Sequence, residues 1–458
     1  MRSSVQKAVV VVLAATALAG ILRGYHLGNP PEKVFDEVYY ASDGCWYAGE
    51  DYRDCGLDSD VERSWVHPPL GKSIIGWGID IFGNRPLGWR VASAVAGSVT
   101  VAFVGALAFL LTGSAIWAGA ASLLMATEHL HFVQSRIAML DVFLAMFVVL
   151  GFLLLVADHT RLDRDEASRL PQPEGSADVS PRPRLRPLRL AAGAAFGAAV
   201  AVKWSGVLAL AAAPVLALAW ERTRRKRAGA AHPWLRAMRE EWLGLTLAFL
   251  VVPFVVYAAV WVPWLQDRGF SFAEWFRHHG QMASYHLNLS TIGDDGKPIH
   301  PYMSEAWTWF LLLRPVAYFW HGTDRTGAEI LGIGHPLLFW GALLVIPYLA
   351  LAWAQKRDWR AGAVLVPILA QYVPWLIVQR PAFLFYLTPV TPFLALGTTY
   401  VLRDLAGLRL GGRRVAPIVV AVLLALSVGI FAFFWPVLIG DTVSLDAWKA
   451  RVRFDGWI

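Results

Sequence analysis

Apolar runs that match the thickness of a bilayer recur from one end of this 458-residue chain to the other, and that recurrence decides the class of fold. Ile137 to Val156 and Val415 to Trp435 are two of them; each reaches the roughly 17–25 residues that cross a hydrocarbon core as a helix. Only 16% of residues are charged and 56% are hydrophobic, whereas soluble domains carry roughly a quarter charged residues. One all-α polytopic membrane bundle over 1–458 is therefore expected. Ala8 to Leu22 follows Arg2 and Lys7 in the manner of a signal peptide, but Leu22 to Tyr25 offers no small-residue cleavage site, so it reads as a retained helix.

The expected spans are 8–25, 87–111, 114–128, 137–157, 190–202, 206–220, 242–262, 335–354, 362–378, 382–402 and 415–436, about eleven helices. A net charge of +7 could suggest nucleic acid as a partner. The basic residues instead cluster in short loops, around Arg182–Arg189, Arg222–Arg227, Lys356–Arg360 and Arg403–Arg414, which is the pattern that orients a chain in a membrane. Those loops are expected to be cytoplasmic, with the amino terminus. Residues 190–220 read as a hairpin turning near Lys203-Trp204-Ser205-Gly206, because arginines flank both sides. Two long segments, 26–86 and 263–334, then lie outside, and 158–189, rich in Pro, Arg and acids, reads as a flexible inner loop. The second outer segment is studded with Trp and His and is expected to hold helices in the membrane interface. Cys45 and Cys55 are the only cysteines; on an oxidising face they could pair, and in a reversed topology they would be free thiols. No Walker-type or dinucleotide glycine loop occurs, and no zinc-type Cys/His spacing.

Phe35-Asp36-Glu37 follows the first span, so two carboxylates lie close to the outer surface. Partial desolvation raises a carboxyl's pKa and strengthens it as a base, though an Asp-Glu pair in a loop is more often merely solvated. His67-Pro68-Pro69-Leu70-Gly71-Lys72 sets a His and a Lys around a rigid turn. Asp141 lies about one turn inside the fourth span, where ionisable groups are expensive enough to signal function. Arg136, Lys203, Arg314 and Arg380 all fall at or near the outer boundary. Snorkelling explains any one of them, but four together suit an anionic group held at the membrane surface, and guanidinium matches phosphate oxygens bidentately.

Phe35 to Ala41, His67 to Lys72, Gly88-Trp89-Arg90, Phe132 to Asp141, Lys203 to Gly206, His300-Pro301-Tyr302-Met303-Ser304, Arg314 to Trp320 and Arg380 to Tyr386 together resemble the protein O-mannosyltransferases, in the same order and over nearly the whole chain. Glu128-His129-Leu130 departs from the Asp-Gly-Leu of that pattern. The resemblance implies the glycosyltransferase C-type (GT-C) fold and transfer of mannose from polyprenyl-phosphate-mannose to Ser or Thr of secreted proteins, at the cell membrane. The β-trefoil (MIR) domain of eukaryotic members does not fit in 263–334. On this reading Asp36 is the base, with Glu37 beside it orienting a neighbour or the acceptor. Arg136 and Arg380, then Lys203 and Arg314, hold the donor phosphate, while His67, Lys72, Asp141, His300 and Tyr302 contact substrate. A single displacement inverts the sugar carbon, and no metal ligand set is expected. Acceptors would be Ser/Thr-rich secreted chains, met beside the secretion translocon. The alternatives are a GT-C transferase moving another lipid-linked sugar to a lipid or glycan, and a transporter, whose symmetric halves are not seen.

Overall fold

The structure is a computed structural model that describes residues 2–58, 63–167, 185–266, 268–293, 295–407 and 416–457. Each expected span contains a helix: α1 (Arg2–Gly24), α4 (Pro86–Thr112), α5 (Ala115–Ala126), α7 (Leu140–Ala167), α8 (Pro187–Val202), α9 (Gly206–Arg227), α10 (Pro233–Thr246) running through a π turn into α11 (Val252–Val260), α14 (Pro336–Ala354), α15 (Trp359–Tyr372), α16 (Thr391–Ala406) and α17 (Ala416–Ile439). Among the described residues, seven helices are both long and apolar enough to cross a membrane; α5 and α8 are shorter apolar helices. Residues 190–220 form the two helices α8 and α9, because the backbone at Lys203 is extended and interrupts the helical ladder.

Helix α7 is the central strut, packed against α4 and α8, while α1 lies on α4 and α5 and α14 to α16 pack on one another. Small residues let these helices approach closely, as is common where lipid removes most of the hydrophobic drive between them. A Cβ at Gly193 of α8 would lie 1.7 Å from the Ala248 carbonyl oxygen, so only glycine fits against the π turn Leu247–Val251.

Several expectations need correction. The span expected over 382–402 becomes helical only at Thr391; Leu384–Leu387 is a short 3-10 turn, since Pro381 and the following aromatics fold inward. The inner loop expected over 158–189 begins as helix, because α7 runs on to Ala167, and residues 168–184 lie outside the described set. The first segment expected outside, 26–86, is not a simple loop, for it carries α2 (Glu37–Tyr47) and α3 (Leu70–Phe82). These cross tightly, a Cβ at Gly76 meeting the Gly44 carbonyl oxygen at 2.6 Å, and Cys45 and Cys55 are joined in a disulfide beside the crossing.

The second segment expected outside, 263–334, holds α12 (Val262–Gln266) and α13 (Phe272–Asn288), and also strands that were not expected. Strands β1 (Val316–Gly322) and β2 (Thr326–Gly332) form an antiparallel hairpin, and β3 (Thr442–Ser444) joins its free edge. Val316 and Tyr318 point into the core with alternating burial, and Thr323 closes the turn by bonding Thr326. After β3 the chain returns over the sheet through α18 (Leu445–Lys449), where the Trp448 indole donates to Glu329 at 2.6 Å.

Candidate active site

Five segments far apart in sequence wall one cavity of about 610 Å³: Phe35–Tyr40, Arg63–His67, Lys203–Leu208, Tyr285–Leu289 and Pro374–Tyr386, with His300 at the side. Asp36 precedes the first turn of α2, yet its carboxylate makes no capping bond. Phe35, immediately before it, has φ +47°, a left-handed conformation costly for a bulky residue. Its ring packs edge-on against Tyr318 at 5.0 Å and near His300 and Phe385, which holds the kink and aims the next residue at the cavity. Burial pushes the Asp36 carboxyl up to about 6, although Lys203 and a hydrogen bond from Tyr40 pull the other way and nearby Asp141 adds to the rise.

Glu37 points away from this cavity. Its carboxylate accepts from Arg90 Nε and Nη2, both at 2.8 Å, from the Ala138 amide at 2.8 Å and from the Val34 amide at 3.0 Å. Arg90 also donates to the carbonyls of Leu27, Pro30 and Glu32. The fully buried pair therefore rivets the Asp36 loop to α4 and to the entry of α7. Glu37 orients its own loop and does not contact the acceptor, because its lone pairs are spent on structure.

The four basic residues divide. Lys203 and Arg380 line the cavity; Arg136 and Arg314 do not. Lys203 Nζ sits 2.9 and 3.0 Å from the two oxygens of Asp141 and 4.6 Å from the Tyr386 ring centre. Arg380 Nη1 bonds His286 Nδ1 at 3.1 Å, and His286 Nε2 lies 2.9 Å from the Val66 carbonyl. A carbonyl only accepts, so Nε2 carries the proton and Nδ1 is left to receive the guanidinium. Arg380 Nε is buried with no partner among the described residues.

Arg136 instead donates to the carbonyls of Arg23 at 2.8 Å and Tyr25 at 2.6 Å, satisfying the exposed end of α1. Arg314 donates to the Pro301 and Gly456 carbonyls and covers the Tyr302 ring. Its task, with Tyr302, is to fasten the 300–302 turn to the carboxyl-terminal segment. Lys72 is equally structural, being buried beside Asp43 at 3.8 Å and donating to the Ser64 carbonyl at 3.0 Å. His67 and His300 do line the cavity, and burial lowers the pKa of both, which keeps their rings neutral and able to donate and accept at once. Asp141 does not line the cavity; it holds Lys203 and adds its charge to the rise of Asp36.

Sequence reasoning missed Tyr40, Trp204, His286 and Tyr386. Tyr40 was within reach, since it follows Asp36 by four residues and such pairs meet on a helix. Nothing local marks His286 among the histidines of α13. Glu128, the departure from pattern, caps the short helix α6 (His129–Gln134) and takes the His335 amide at 3.1 Å.

At the far end of α7, α8 and α9 lies a different charge cluster. Arg186 bonds Asp158 and, at 2.7 Å, Glu221; Arg189 meets Glu241 at 2.6 Å, and Arg225 bonds Glu221 and Glu241 at 2.6 and 2.9 Å. From Asp141 to Asp158 along α7 is about 25 Å at 1.5 Å per residue. The cavity and the arginine cluster thus sit about one hydrocarbon thickness apart.

The sequence family described as dolichyl-phosphate-mannose-protein mannosyltransferase matches residues 13–266, and the C-terminal four-span region of protein O-mannosyltransferase matches 271–457. The chain is similar to the polyprenol-phosphate-mannose–protein mannosyltransferases of Mycolicibacterium smegmatis strain MKD8 (31% identity over 475 residues, covering 96% of this chain and 91% of that one) and Mycobacterium tuberculosis (31% over 483 residues, 98% and 91%). Its fold is similar to that of the Saccharomyces cerevisiae Pmt1-Pmt2 complex bound to the sugar donor (TM-score 0.76, 14% identity, covering 99% and 93%) and of ArnT from Cupriavidus metallidurans (TM-score 0.54, 17% identity, 93% and 71%).

Proposed function

Since the chain belongs to the protein O-mannosyltransferase family, we propose that the cavity around Asp36 is where it transfers mannose from polyprenyl-phosphate-mannose to Ser and Thr hydroxyls of proteins, with inversion, on the extracytoplasmic face of the cell membrane. The single observation that carries the siting is the convergence of a desolvated carboxylate, uncommitted to helix capping, with Lys203 and Arg380 around one cavity. The protein acceptor is favoured over a lipid or glycan acceptor because relatives spanning nearly the whole chain are named for it.

Asp36 takes the proton of the acceptor hydroxyl as its oxygen bonds the anomeric carbon and the bond from that carbon to the phosphate oxygen breaks. The electron pair leaves with the lipid phosphate. Arg380, oriented by His286, and Lys203 hold the charge that develops there. Val207, Leu208, Pro374 and Val378 form an apolar side of the cavity, suited to the first isoprene units. The paired arginines at the other end of α7 face the cytoplasm in this orientation, as does the amino terminus, and 26–86 and 263–334 lie outside. α13 presents exposed Phe272, Phe276 and Leu287, as an interfacial helix does.

Two outcomes are expected. Because Asp36 must be ionised to accept a proton and burial holds its pKa near 6, kcat/KM rises with pH through about 6 and levels off above it. Lys203→Met removes the charge that opposes the rise, so the limb moves to higher pH; an unmoved limb would assign it to another group. Arg380→Met removes a charge-assisted bond worth roughly 1.5–3 kcal/mol, so kcat/KM for the donor falls by about 10- to 150-fold, as measured by mannose transfer to a Thr peptide at varied donor concentration.

A further inference from the structure

A second cleft, about 450 Å³, adjoins the catalytic cavity and shares Trp65 with it. Three indoles from three separate elements, Trp46 of α2, Trp65 and Trp264 of α12, form its walls, and polar side chains ring them: Arg268, Glu274, Arg277, His278 and Gln281. Arg268 already covers one indole, its guanidinium carbon 4.1 Å from the Trp264 ring centre. Glu274 and Arg277 are 3.7 Å apart at the exposed rim, so loosely paired that either can turn to a ligand at little cost. Gln281 is exposed one helical turn further along α13.

Aromatic platforms bordered by a carboxylate, guanidinium groups and an amide suit a hexose, which offers apolar C–H faces to stack and hydroxyls that need both donors and acceptors. An anionic ligand fits less well, because Glu274 stands among the cations. The shared Trp65 sets this cleft beside the cavity that Asp36 lines. The enzyme itself makes a chain-linked hexose. We propose that the cleft binds a mannose already attached to the acceptor chain, so that one transfer favours the next nearby. This rests on the protein-mannosylation reading above and adds an acceptor subsite to it.

The test uses the full-length protein in detergent with polyprenyl-phosphate-mannose and pairs of peptides, one unmodified and one carrying a single α-mannosyl-Thr at a stepped offset from the acceptor Thr. At one or two offsets the premannosylated peptide is expected to show a KM about tenfold lower, with kcat unchanged. In Glu274→Gln and Gln281→Ala, whose altered groups lie at the exposed rim, the ratio of the two KM values falls towards one. As a second measurement, a mannosyl peptide with the acceptor Thr replaced by Ala inhibits transfer about tenfold better than its sugar-free twin. Equal KM values at every offset, or equal inhibition, overturn the subsite while leaving the transferase reading intact. Absence of transfer to either peptide overturns both.

Discussion

Asp36→Asn is expected to lower kcat/KM for mannose transfer by roughly 10²–10⁴-fold, the range lost when a positioned general base is removed. The amide is nearly isosteric, and the Asp36 carboxylate makes no capping bond, so insertion and folding should be untouched. Glu37, next in sequence, sharpens the result. A contribution of Glu37 as base would leave Asp36→Asn substantially active, and full activity in that variant would remove Asp36 from the chemistry. Initial rates from polyprenyl-phosphate-mannose to a Thr peptide, at pH 8 to keep the wild-type carboxylate ionised, give the answer.

Breaking the Glu37–Arg90 pair has a different signature. Both side chains are fully buried, and removing one partner of such a pair costs about 3–5 kcal/mol because the other charge is stranded. Arg90→Leu is therefore expected to lower the unfolding midpoint in detergent by roughly 3–5 °C, given about 2.1 cal/mol/K per residue. Replacing both with Leu should not restore it. Three carbonyls that Arg90 serves and two amides that Glu37 serves would stay unsatisfied, and each carries its own desolvation cost. A double variant as stable as the parent would show that the rivet is dispensable.

Much of the architecture was legible in the sequence, because bilayer thickness sets helix length and arginine clusters punctuate the spans. The hairpin at Lys203 could be read from flanking charge alone. The strands at 316–332 were not, since a short aromatic run carries no period long enough to separate strand from interfacial helix. The candidate site was half legible. Arg136 and Arg380 look alike in sequence, each basic and at a helix mouth, but one meets the bare carbonyls at the end of α1 and the other meets a histidine side chain. That difference is made by elements more than ninety residues away in both cases. Burial of the Asp36 carboxyl could be anticipated from its place next to a span, whereas the aromatic kink that aims it could not.

Asp36 and Asp141 share the Lys203 ammonium, so that ammonium has little charge to spare when an anionic headgroup arrives. Bringing that headgroup in must make Asp36 hold its proton more tightly, and by linkage the donor is then taken up together with a fraction of a proton. Capture of the lipid gains from acidity while hydroxyl activation gains from alkalinity. Release of the spent carrier restores the empty pocket's balance and frees the base for another round.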